Sequence, residues 1–267
     1  MNHHKLSEFS LAITDINVRV HCNNEKLADI LSERYREFQS RSAIAFSAKI
    51  DWVGQDSHTS ILDQTITFQG GILRFTAPGY DGFIDEKKGE GTLRFSSTQP
   101  VEEIDYYLRV IFALMAYANN GVLMHTAGIV RRGYAYLFFG HSGSGKTTVC
   151  RVSSGDYTII NDDLVLLLPE GNSWRAYGTP FSNPTQVKPS AISAPVASMY
   201  WLTQSKNVAV SNLSASQAIA AMIANVPIIP KDPNRSVHLI DILSKIQKDI
   251  PIQELHFLPD NSFWEII

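Results

Sequence analysis

Nine consecutive residues, Gly140-His-Ser-Gly-Ser-Gly-Lys-Thr-Thr148, fit G-x-x-x-x-G-K-[ST], the spacing of a P-loop that wraps a polyphosphate in main-chain N–H groups. Gly140, Gly143 and Gly145 permit positive φ and let a ligand come close to the backbone. Lys146 brings a point charge to the outer phosphates, and the Thr147 hydroxyl is of the kind that ligates Mg²⁺. A helix expected to begin near Lys146 adds its positive end. The expected nucleotide contacts are Gly140, Ser142, Gly143, Ser144, Gly145, Lys146, Thr147 and Thr148.

Asp162-Asp163 is the second constellation. Adjacent carboxylates between two apolar strand candidates are costly to bury unless a cation or hydrogen bonds compensate, and Mg²⁺ is the natural compensation. One carboxylate can hold the metal while the other accepts the proton of an attacking hydroxyl, which is how a phosphotransferase divides the work. The residues alone leave open which Asp does which. A polar turn in which an Asp caps a main-chain N–H is the structural alternative, and since neighbouring strand residues point to opposite faces, one Asp can be structural while the other is functional.

The elements that must position these groups follow from the pattern around them. Tyr134 to Phe139 is an aromatic-rich strand running into the loop, and Val149 to Val152 continues a helix after it. Val122 to Val130 is a further strand candidate, joined to the first by only Arg131-Arg132-Gly133, too short for a parallel crossover, so the two must form a hairpin. With the hairpin centred near residue 132, His125 falls opposite Phe139 or Gly140, at the mouth of the loop. That register leaves two readings open for His125, a satisfied strand histidine or a catalytic group. His141, at a variable position of the loop, is expected to face solvent. The loop is thus fed by one arm of an antiparallel pair, whereas ordinary nucleotide-binding α/β folds feed it from a central parallel strand.

Before this core, Leu11 to Val20 reads as a strand, and Asn24 caps a helix with Leu27, Ile30, Leu31, Tyr35 and Phe38 on one face. Strand candidates at Ala43 to Val53, Ile61 to Phe68, Ile72 to Phe75 and Thr92 to Phe95, separated by glycine-rich turns, predict an antiparallel β-rich subdomain. Pro100 and Glu102-Glu103 open a helix with a stripe of Ile104, Leu108, Ile111 and Met115. After the loop helix come strands at Tyr157 to Ile160, Leu164 to Leu168 and Trp174 to Tyr177, then a proline-rich loop from Ser182 to Ser198. Ser214-Ala-Ser-Gln217 is a capping box, and Val237 to Lys248 is helical with apolar Leu239, Ile240, Leu243 and Ile246. Lys188 and Lys231 lie in loops and are expected to be solvated. The expected architecture is α/β, a P-loop in a largely antiparallel or mixed sheet (121–267), with an N-terminal β-rich subdomain (1–120).

Of the 267 residues, 44% are hydrophobic, enough for a sizeable core, and a disordered chain is excluded. A formal charge of −3 gives no global reason to bind nucleic acid or an anionic membrane. The N-terminus lacks an apolar signal region and no run approaches the ~20 apolar residues of a membrane span, so a soluble, cytoplasmic chain is expected. Cys22 and Cys150 are the only cysteines, too few for a disulfide framework, and read as small apolar residues.

Taken in order, His125-Thr-Ala-Gly, a hairpin, Gly140-x-Ser-Gly-x-Gly-Lys-Thr147 and Asn161-Asp-Asp163 before an apolar strand resemble the catalytic core of HPr kinase/phosphorylase, a family related in fold to phosphoenolpyruvate carboxykinase. The resemblance is densest over residues 122–168. It implies that the loop binds ATP phosphates, that Asp162 is the base for a serine hydroxyl, that Asp163 with Thr147 holds Mg²⁺, and that His125 lies beside the reacting phosphates. The implied catalytic set is Asp162, His125 and Lys146. Tyr177-Gly-Thr-Pro-Phe181 and Phe257-Leu-Pro-Asp-Asn-Ser-Phe-Trp264 look more like the HPr-kinase-related proteins of bacterial peptide-modification clusters, among them kinases of lasso-peptide precursors. The family's C-terminal phosphorylase signature and N-terminal domain have no match in this chain. The reading is therefore an ATP- and Mg²⁺-dependent serine kinase acting on a peptide or small protein, with no nucleic-acid or membrane partner. A nucleotide-binding regulatory protein and a small-molecule kinase are the alternatives. ATP against GTP and the oligomeric state, a homo-oligomer included, stay open.

Overall fold

A computed structural model of the chain describes residues 7–54, 65–181, 188, 190–227 and 232–267. They divide into two units, Met1–Met115 with Pro230–Pro233 and Ala116–Ile229 with Asn234–Ile267, each built on its own mixed sheet. The expected loop lysine Lys231 lies outside the described residues, as do the first residues of the strand expected over Ile61 to Phe68.

In the first unit, β1 (Ser7–Ile13), β2 (Ile16–Cys22), β3 (Phe46–Gly54), β4 (Thr65–Gln69), β5 (Ile72–Ala77), β6 (Tyr80–Asp85) and β7 (Glu90–Ser96) form a sheet in the order β1-β2-β3-β7-β6-β5-β4. The single strand expected over Leu11 to Val20 is a hairpin turning at Thr14-Asp15, with Thr14 at φ 52°. Its buried residues shift parity across the turn, from Leu11 and Ile13 to Ile16, Val18 and Val20. The sheet is not wholly antiparallel as expected, because β2–β3 and β3–β7 are parallel. The first of these pairs is joined through α1 (Glu25–Arg34), and a crossover of that kind permits what a tight turn forbids. The Asn24 side chain accepts from the Leu27 N–H and caps α1 as expected, whereas Ile30 is exposed and Ala28 takes its place in the core. Pro100 opens α2 (Pro100–Ala118). Buried Asp105 on α2 accepts from the Tyr35 hydroxyl and from the Arg109 guanidinium, so its charge is fully compensated.

The second unit carries β8 (Val122–Arg131), β9 (Tyr134–Phe139), α3 (Lys146–Ser153), β10 (Thr158–Asn161), β11 (Leu164–Glu170), β12 (Ser173–Gly178), β13 (Ser193–Gln204), β14 (Ala209–Asn212), α4 (Ala215–Ile223), α5 (Pro233–Asp249) and β15 (Ile252–Phe257). Its sheet runs β10-β8-β11-β12-β13-β15-β14, and β9 bridges β8 and β13. The β8–β9 hairpin forms as the short connection requires, turning on Arg132 and Gly133, both at positive φ. On its other side β9 lies parallel to β13, and β13 parallel to β15. The loop expected over Ser182 to Ser198 ends sooner, because β13 already starts at Ser193. Pro195 disguised it: proline is tolerated near a strand's beginning, and here it pairs with Arg175.

Strand alternation sends side chains to two cores. Leu137, Phe139 and Met199 pack with Met222 of α4 and Leu243 and Ile246 of α5, where Ile242 is buried and the expected Ile240 is exposed. Phe138, Tyr200 and Leu202 pack on the opposite face with Val149 and Cys150 of α3 and with Phe263 and Trp264. The Trp264 indole donates to the Ser153 hydroxyl at 2.8 Å, so the segment after β15 backs the helix that follows the glycine loop. The Ser214 capping box of α4 is present with both of its bonds.

Candidate active site

The β8–β9 ladder pairs Thr126 with Phe139, and one further step puts His125 opposite Gly140, where β9 has ended. The His125 N–H points to the side that β9 vacates and finds the Asn225 carbonyl at 2.7 Å instead. Freed from the sheet, residues 140–145 fold into a crest that ends at Gly145, the N-cap of α3, with φ 110°. A Cβ on Gly145 would lie 2.5 Å from Phe257 Cζ, and one on Gly140 would lie 2.7 Å from Ser144 Oγ. Two glycines are thus fixed by space, and Gly145 by conformation as well. Gly145→Ala is expected to cost about 1–3 kcal/mol in backbone strain alone, read as a lower melting temperature.

The first-turn N–H groups of α3 lie at one wall of a cleft of about 330 Å³, and the first four N–H groups of a helix have no partner within it. His125, Ser142, Gly143, Gly145, Lys146, Thr147, Thr148, Asp162, Asp163 and Gln204 line this cleft. Of the expected nucleotide contacts, Gly140 and Ser144 do not line it, and Ser144 is buried. His141 is exposed, as expected, and so is Lys188. Lys146 curls back under the crest and donates to the Gly140 carbonyl at 2.9 Å and the His141 carbonyl at 3.3 Å. Burial lowers its pKa below that of an ordinary lysine, and the charge of Asp163 opposes the shift.

The two carboxylates differ. Asp162 is 3% exposed, and among the described residues neither of its carboxylate oxygens has a hydrogen-bond partner in another residue. Desolvation raises its pKa and the neighbouring Asp163 charge raises it further, while its own main chain pulls the other way. Asp163 is more open, and its Oδ1 lies 2.9 Å from His125 Nε2.

The pair sits where β10 passes into β11 along β8, and the Asp163 carbonyl accepts from the Thr126 N–H. Two residues of the site were given no role by the motifs. Gln204, at the end of β13, lines the cleft and donates to the Gly143 carbonyl at 2.8 Å. Asn161, fully buried, accepts from the N–H groups of Asp163 and Leu164 and donates to the carbonyls of Thr179 and Phe181. Asn161 was legible as the first letter of Asn-Asp-Asp, since Asn bonds its own backbone two residues on; Gln204 left no such signal.

The cleft has the size and donors for a polyphosphate with a hard cation. Asp162, buried with no partner in another described residue, Asp163 and the Thr147 hydroxyl form an oxygen donor set of the kind Mg²⁺ takes. Among the described residues no group of three or more His, Cys, Asp and Glu could hold a metal, so a cation here would complete its shell with phosphate and water. Nor, among the described residues, is any helix long and apolar enough to cross a membrane.

No curated protein matches the chain. The Hpr(Ser) kinase/phosphatase from Coxiella burnetii is a distant structural match, with a TM-score of 0.32 and 11% sequence identity over 54% of this chain and 90% of that one. A family model described as SynChlorMet cassette protein ScmC matches residues 96–229, half of the sequence, and the chain belongs to that family.

Proposed function

We propose that the chain is an ATP-dependent, Mg²⁺-requiring kinase that phosphorylates a serine of a peptide or small protein. The observation that carries this reading is Asp162: a buried carboxylate with no partner in another residue among those described, at the same cleft as the glycine loop and Lys146. Such a group is costly in the free protein, and a serine hydroxyl hydrogen-bonded to it would supply what it lacks. The serine oxygen forms a bond to the γ-phosphorus as the bond to the β–γ bridging oxygen breaks; Asp162 takes the hydroxyl proton and ADP leaves with the electron pair. Lys146 exchanges its two loop carbonyls for phosphate oxygens, and the first-turn N–H groups of α3 hold the rest of the polyphosphate. Thr147 and Asp163 would hold Mg²⁺, which supplies charge neutralisation on the phosphoryl oxygens. His125 orients Asp163 through their 2.9 Å contact. The family description names a cassette, which directs the search for the acceptor to proteins encoded beside this one.

The test is transfer of the labelled γ-phosphoryl group from ATP to serine-containing peptides and to those neighbouring proteins. Phosphoserine in a product supports the reading; ATP binding with no transfer to any of them would favour a regulatory nucleotide-binding protein, and transfer only to small molecules the third alternative. Asp163→Asn is expected to weaken Mg²⁺-dependent ATP binding about tenfold, as an amide replaces an anionic oxygen, and to leave metal-free binding unchanged. Isothermal titration with and without Mg²⁺ reads both.

A further inference from the structure

We infer that Asn161 is the positioning residue that brings both carboxylates into one cleft, an inference that rests on the phosphoryl-transfer reading above. The register of β10 along β8 shifts between Ile159 and Asn161; from there Asn161 pairs with Gly128 and Leu164 with His125, so the register is constant across the Asp162-Asp163 step. A regular strand through that step would point the two side chains to opposite faces of the sheet and take one of them out of the site. Instead both line the cleft. The cause is local: Asn161 Oδ1 accepts from the Asp163 N–H at 2.7 Å and from the Leu164 N–H at 3.0 Å, which bends the chain at the pair. The amide's other end donates to the Thr179 carbonyl at 3.0 Å and the Phe181 carbonyl at 3.1 Å, which stops the side chain from rotating away. Thr179 closes the arrangement by donating to the Leu164 carbonyl at 2.8 Å. With two bonds accepted and two donated, the amide is fully used inside the protein and has no capacity left for a ligand. Its role is to hold, and the groups that it holds do the chemistry.

Only the acceptor end makes the bend, so the two ends can be separated by substitution. Asn161→Ala removes all four bonds and frees the step to become regular strand. Asn161→Ser keeps a weaker acceptor able to bond two residues on, and loses the bonds to Thr179 and Phe181. The experiment measures phosphate release from Mg²⁺–ATP with water as acceptor, the affinity for a fluorescent N-methylanthraniloyl ATP, and hydrogen exchange at the Asp163 and Leu164 amides. For Asn161→Ala, kcat is expected to fall about 10- to 100-fold, the usual effect of losing an outer-shell partner. The fluorescent-ATP Kd measured without Mg²⁺ should stay within about threefold, because the loop over 140–148 is built without Asn161, while the Mg²⁺-dependent part of binding weakens by no more than the roughly tenfold expected for loss of Asp163. Both amides should lose protection. Asn161→Ser should recover part of kcat and part of the protection, and if the Ala variant does not fold, the Ser variant read against wild type gives the same comparison. Wild-type kcat in Asn161→Ala, or a rise in KM and Kd with kcat unchanged, overturns the inference. A wild-type protein that binds no fluorescent ATP instead overturns the phosphoryl-transfer reading, so the two failures are distinct.

Discussion

Asp162→Asn is expected to lower phosphoryl transfer by about 10² to 10⁴, the usual contribution of a general base, and to leave ATP affinity nearly unchanged. The substitution keeps the size of the side chain and removes the basic oxygen. The burial that would serve Asp162 in the proposed role is also what makes it costly. In the free protein it is a carboxylate 3% exposed with no partner in another residue among those described, and an unsatisfied buried polar group costs about 1–3 kcal/mol, more when charged. Asp162→Asn should therefore raise the melting temperature of the free protein at neutral pH while it removes the activity. A variant that loses stability and activity together would place Asp162 among the structural residues.

The pH dependence follows from the same burial. The folded-state pKa of Asp162 is raised, so between the unfolded carboxylate value and the folded one the native state binds more protons than the unfolded state. The group's contribution to stability is thus greatest below the unfolded value and falls as pH rises through the folded one. In the proposed role of Asp162 as base, activity is expected to run the other way, rising as Asp162 ionises and becomes able to accept a proton. Asp162→Asn should flatten the stability slope in that window, as thermal melts across pH would show.

How much of this was legible in the sequence depended on whether the signal was local. The Arg132-Gly133 turn fixes the β8–β9 register by chain geometry alone, so His125 could be placed at the loop mouth before any tertiary contact was known. The α1 cap on Asn24 and the capping box of α4 were legible for the same reason. The parallel pairs were not, since strands that meet through long connections leave no mark on each other's spacing. β13 was hidden by Pro195, and β15 by Gln253, Glu254 and His256, whose adjacent pair breaks the apolar alternation. Their loss matters to the site, because β13 carries Gln204 and β15 carries Phe257, which closes the space over Gly145. The hydrogen bonds that bend the chain at Asp162-Asp163 were hidden too: Asn161 signals a turn, while its hold on Thr179 and Phe181 exists only once β12 has brought that segment back.

The second large effect is expected at Lys146. Its ammonium is already bonded to two loop carbonyls, so nucleotide binding exchanges those bonds for phosphate contacts and does not start from a free charge. A unit charge 4 Å from another interacts by about 4 kcal/mol at an effective dielectric constant of 20. The two bonds given up are worth about 1.5–3 kcal/mol each, about 3–6 kcal/mol together, and contact with two charged phosphates, about 8 kcal/mol on the same scale, outweighs them. The difference, about 2–5 kcal/mol, corresponds to a loss of roughly 30-fold or more in affinity when the lysine is removed. Ligand at 100 times its Kd adds about 2.7 kcal/mol to wild-type stability; a Kd raised roughly 30-fold leaves about 0.9 kcal/mol at the same concentration, and a larger rise leaves less. Lys146→Ala should thus lose most of the ATP-induced rise in melting temperature, and Lys146→Met, which keeps the apolar stem, should lose it equally. That equality separates lost charge from lost packing. If either variant kept the full wild-type shift with Mg²⁺–ATP, the nucleotide would not lie on residues 140–148, and the assignment of the cleft would fall with it.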